Sequence, residues 1–122
     1  MKIKAVLGLI AGVMLFVSAG AHSILGWNAQ AEQLAKTNAP ADLVLGLRVG
    51  WTYGGPVMVV FALICFNVFW KRFRGERVST FAPLMIAIAY LGFAAWAAYM
   101  TGGDPFFMLF LVPGVLLLAG SL

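Results

Sequence analysis

Of the 122 residues, 63% are hydrophobic and only 10% are charged, more apolar surface than a soluble domain of this size can bury. Lipid must therefore surround most of the chain. A crossing helix takes about 20 apolar residues, which leaves room for four crossings and excludes a sizeable soluble domain. The net charge of +4 gathers at the N-terminus and in one loop, so it reads as a topology signal and not as a nucleic-acid footprint.

The expected fold is all-α: an integral membrane four-helix bundle in one domain over 1–122, with transmembrane helices at about 5–27, 43–70, 80–100 and 106–120. Lys2 and Lys4 precede the first apolar run. Ala19-Gly20-Ala21 fits a small-x-small signal-peptide cleavage pattern, but the run continues through Ile24, Leu25 and Trp27, and an uncleaved first span is expected. Residues 28–42 read as a loop, in which 29–36 has the pattern of a short separate helix exposing Gln30, Glu32, Gln33 and Lys36. Thr37-Asn38-Ala39-Pro40 breaks that helix. Asp42 is the expected N-cap of the second span, where its carboxylate would accept from free amides.

The second apolar run is longer than a bilayer requires, so it must tilt, bend or protrude. Gly54-Gly55-Pro56 predicts a bend, because Pro56 removes the partner of the Thr52 carbonyl and the glycines offer little resistance. The run closes on Lys71, Arg72, Arg74 and Arg77, with Gly75 at the turn. Ser79 and Thr80 are candidate caps for the third span, and Thr101-Gly102-Gly103 ends it. Asp104-Pro105 is a strong helix start, with Asp as the cap and Pro in the first turn. Pro113-Gly114 weakens the middle of the short fourth span. The two halves share no motif, which argues against an inverted-repeat transporter within one chain.

Lys2, Lys4, Lys71, Arg72, Arg74 and Arg77 fall on one side, against Lys36 alone in the first loop and no Lys or Arg in the third. The positive-inside rule then puts both termini in the cytoplasm of a bacterial-type inner (plasma) membrane. Small residues at helical spacing, Gly8-xxx-Gly12, Gly46-xxx-Gly50-xxx-Gly54 and Ala94-xxx-Ala98, predict close helix contacts. Gly8, Ala11, Gly12, Leu15, Ser18, Ala19, His22 and Gly26 share one face of the first helix, which should turn inward. The second helix offers two faces, one for the bundle and one for a second copy of the chain.

Two embedded ionisable residues carry the site hypothesis. Arg48 lies near the outer end of the second span, where a snorkelling anchor is the ordinary explanation. His22 reaches a similar depth on the first span, where a bundle-facing imidazole bonded to Ser18 or Thr52 is the ordinary explanation. The sharper expectation is one shallow, outward-facing recess formed by His22, Arg48, Trp51, Tyr53, Trp96 and Tyr99. No carboxylate is embedded in an apolar run, since Glu32, Asp42, Glu76 and Asp104 map to loops or helix starts, which argues against carboxylate-coupled antiport. The single Cys65 and single histidine give no metal-ligand spacing, a lone histidine does not make a haem site, and no cofactor is implied. No nucleophile–base pair marks an enzyme. The sequence therefore points to a non-enzymatic accessory or binding subunit, with an oligomeric small-solute or ion transporter or channel as the alternative. The expected partners are membrane lipids, including anionic ones at the basic loop, and a homo-oligomer or larger membrane complex.

Overall fold

The computed structural model describes residues 2–122. Among them all regular structure is helical: α1 Lys2–Lys36, α2 Ala41–Phe73, α3 Phe81–Thr101 and, after a 3₁₀ segment Pro105–Phe110, α4 Leu111–Ser121. The first three are long and apolar enough to cross a membrane, and Pro105–Ser121 is a shorter apolar helix. In lipid a backbone has no water to bond, so a segment this apolar satisfies its own amides as a helix.

The structure corrects the expected extent of α1. The segment 29–36 is not a separate helix after a loop but the continuation of the first one, leaving only 37–40 as the connection. Polarity made Asn28 and Gln30 resemble a loop, yet no proline or glycine between Trp27 and Lys36 interrupts helical bonding. The join is a single π-helical turn, Ala21–Gly26. α2 likewise begins earlier and ends later than expected, and it runs unbroken through Pro56. Its N-cap is Pro40, not Asp42. Asp42 instead sits in the first turn, where a carboxylate complements the helix dipole.

Other local signals act where the sequence puts them. Asp104 Oδ1 accepts from the Phe106 amide at 2.9 Å. Gly102 closes α3 in the left-handed region at φ 65°, where a side chain is disfavoured. At the start of α3, Ser79 Oγ accepts from the Phe81 amide at 3.2 Å, whereas the Thr80 hydroxyl donates to the Ser121 carbonyl at 2.9 Å.

α1 is the central element. It packs along α2 on one side and α4 on the other, α3 packs on α4, and α2 and α3 touch only lightly. The buried face of α1 is Ala5, Gly8, Ala11, Gly12, Leu15 and Ala19, while Ser18 points outward. Gly8 receives the ring of Phe69, and Gly12 receives Phe66 and Cys65. The core gathers Leu15, Ala62, Cys65, Phe69, Ile86, Ala87, Tyr90 and Leu117.

One end of the bundle holds the basic residues and the C-terminus. There Arg72 donates to the Gly120 carbonyl at 2.7 Å. At the other end, 27–36 packs against α2 alone, so α1 and α2 continue past the bundle as a helical hairpin. Leu43, Leu45 and Val49 are exposed on its second arm.

Candidate functional site

The site forms where α1 enters the hairpin. His22 and Ser23 are consecutive in the π turn and straddle the line of contact with α2. Each meets a glycine. A Cβ on Gly54 would lie 2.6 Å from His22 Nε2, and a Cβ on Gly55 would overlap Ser23 Oγ. In return Trp51 covers Gly26, where a Cβ would lie 3.1 Å from the indole. The glycine pair of α2 thus provides the space that two α1 side chains occupy.

The contact is reciprocal. His22 Nε2–H donates to the Trp51 carbonyl at 3.0 Å, and Trp51 Nε1–H donates to the His22 carbonyl at 2.7 Å. The imidazole and indole stack with centroids 4.8 Å apart and planes 2° from parallel. A carbonyl oxygen can only accept, so Nε2 must carry the proton; in the neutral ring Nδ1 is then an acceptor. No described residue bonds to Nδ1.

His22 also lines a cleft of about 280 Å³. Its walls are Gly54, Val57, Met58 and Phe61 of α2, Ala89, Tyr90 and Phe93 of α3, and Phe110 of the 3₁₀ segment. Phe93 and Phe110 meet edge to face at 4.9 Å. The cleft exists because α2 and α3 make little direct contact, and His22 is the residue by which α1 reaches it. Ser23, on the other side of α2, lines a second, larger groove of about 580 Å³ with Phe16, Gly20, Pro56 and Val59.

Of the six residues expected to share a recess, the structure brings His22 and Trp51 together. Arg48 is exposed on the hairpin and makes no hydrogen bond or ion pair among the described residues. Tyr53 is 72% exposed and Tyr99 85% exposed. Trp96 is exposed as well, its ring against Phe93 at 5.8 Å. None of these four lines the cleft. Sequence reasoning did not select Phe61, Tyr90, Phe93 or Phe110 as its walls. Nothing in an apolar run separates an aromatic beside a cleft from one in the core, although the Gly54-Gly55 pair was a signal for close approach.

The described residues contain no cluster of three or more His, Cys, Asp or Glu side chains able to hold a metal ion. No protein-family model, curated protein or solved structure matches the chain.

Proposed function

We propose that the chain is a four-span inner-membrane protein with both termini in the cytoplasm. Its role is that of a non-enzymatic binding or accessory subunit that holds a small membrane-soluble molecule in the His22 cleft. The observation that carries this reading is the cleft itself: the His22 imidazole and Tyr90 among otherwise apolar and aromatic walls, the usual make-up of a small-molecule site.

Lengths support four spans. α3 has 21 residues, about 32 Å at helical rise, against a hydrocarbon core of about 30 Å. The α4 helix of 11 residues is too short alone, but with the longer rise of its 3₁₀ segment Pro105–Ser121 extends about 28 Å. The orientation rests on the Lys and Arg asymmetry. On this reading the hairpin stands at the outer surface, Lys71, Arg74 and Arg77 attract anionic inner-leaflet lipids, and the open face at Gly46 and Gly50 leaves room for a second copy.

Two measurements test the reading. Reporter fusions at Lys36 and Arg74 should fall on opposite sides of the membrane; the same side for both would refute the topology. Mass spectrometry of purified protein should detect a small apolar molecule that is lost from Ala89→Trp, whose indole fills the cleft. Equal retention by both proteins would refute binding there.

A further inference from the structure

We infer that residues 27–50 form a lever that swings against the bundle, with the π turn and Gly54-Gly55-Pro56 as its hinge and the His22–Trp51 contact as its latch. The inference goes beyond the binding reading and does not need it. It concerns how the cleft changes width, whatever the cleft holds.

The hairpin has no core of its own. None of the residues from Gly20 to Gly54 is buried, whereas Ala19 on one helix and Gly55 on the other are. Residues 27–36 pack on the π turn and α2 alone. A segment with so few buried contacts can move while the core stays intact.

Both arms leave the bundle through an interrupted helix ladder, and the two interruptions lie side by side. In α1 the interruption is the π turn Ala21–Gly26, whose bonds span five residues in place of four. In α2 it is Pro56, which has no N–H for the Thr52 carbonyl, preceded by two glycines. His22 lies on Gly54 and Ser23 on Gly55. A break in one helix would be held straight by an intact neighbour. Two adjacent breaks define an axis about which both arms turn together, since a few residues at element ends can absorb the change in dihedral angles.

The latch crosses that axis. Trp51 lies on the hairpin side of Pro56, and His22 lies at the start of the π turn. Their two hydrogen bonds, 3.0 and 2.7 Å, and their ring stack tie the lever to the bundle. His22 and Gly54 also line the cleft, whose other walls all stand on the bundle side of the hinge. Turning the lever therefore changes the width of the cleft at its hairpin end.

The test uses the full chain in lipid nanodiscs, with pairs of spin labels on introduced cysteines; the native Cys65 is buried and stays in place. Ala35→Cys with Met100→Cys measures across the hinge, and Asn28→Cys with Leu43→Cys measures within the hairpin; all four positions are exposed. The arm Trp27–Lys36 has 10 residues, about 15 Å, so a turn of about 20°, the size of a helix kink, displaces its tip by about 5 Å. The distance distribution across the hinge should be wider than the one within the hairpin by about that amount. Trp51→Phe keeps a ring on His22 but removes the indole donor, and it should widen the first distribution and leave the second unchanged. Pro56→Ala returns an amide to the Thr52 carbonyl and should narrow the first. Equal widths for the two pairs in wild type would overturn the lever, and this comparison decides even if the variants fail to fold. Widening of both pairs in Trp51→Phe would overturn it too, because the hairpin would then be unravelling instead of turning. An unchanged width across the hinge in Trp51→Phe would overturn the latch. None of these outcomes depends on whether a molecule is retained in the cleft.

Discussion

The two seams of α1 use glycine differently. Against α4, backbone meets backbone: a Cβ on Gly120 would lie 2.9 Å from the Lys4 carbonyl and 3.1 Å from the Gly8 amide. Against α2, glycine meets side chain, with Gly8 under Phe69, Gly12 under Phe66, Gly54 under His22 and Gly55 under Ser23. Further out, Gly46 and Gly50 meet nothing within 4 Å. In sequence Gly46, Gly50 and Gly54 form one evenly spaced series, and only its last member is filled. The spacing of small residues marks faces that permit close approach; it does not say which of them are occupied or by what. A helix pair closed by backbone contact is rigid, whereas one closed by rotatable side chains can accommodate change, and the cleft lies at the second kind of closure.

The largest effect should come from Gly120→Ala. Neither the Lys4 carbonyl nor the Gly8 amide can move without shifting α1, so the loss should approach about 3 kcal/mol, the upper range for overpacking. Thermal unfolding in detergent measures it, and an unchanged melting temperature would break the contrast between the two seams. Gly54→Ala should cost less, about 1–2 kcal/mol, because an imidazole can swing where a backbone cannot. Its signature is specific: the Trp51 environment, read by indole fluorescence, should change as the His22 stack is displaced. Arg72→Gln removes the bond to the Gly120 carbonyl and a cation from the C-terminal end of α4. The site is partly solvated, so about 1 kcal/mol is expected. Gly50→Ala should have the smallest effect and the opposite sign, a gain of up to about 1 kcal/mol from helix propensity in an open position. A concentration-dependent loss of stability would instead reveal a partner helix on that face.

The parts of the fold legible in the sequence were those governed by neighbours in the chain. Asp104-Pro105, Gly102 and Gly75 act within a turn or two, so their residue types suffice. The inward face of α1 was legible too, because a run of glycine and alanine at helical spacing admits few alternatives. The fusion of 29–36 with the first helix was not: polar composition resembles a loop whether or not the backbone continues, and the π turn at Ala21–Gly26 has no compositional mark. The partner of His22 escaped for a related reason. Ser18 and Thr52 offered hydroxyls at plausible depth, whereas the ring bonds a main-chain carbonyl, and every residue has one of those. Gly54-Gly55-Pro56 predicted a bend and did not show that the glycines also serve as seats for His22 and Ser23. Arg48, prominent as a cation in an apolar run, is on an exposed arm that sequence alone did not show to lie beyond the bundle.

His22 is the single histidine of the chain, so nitrogen-15 labelling of histidine gives NMR signals from one imidazole. The central claim is that the Trp51 carbonyl holds the proton on Nε2 and thereby locks the His22 ring against α2. At mildly alkaline pH the spectrum should show one tautomer, Nε2 protonated and Nδ1 bare. A proton on Nδ1, or rapid averaging between the two tautomers, would contradict the account.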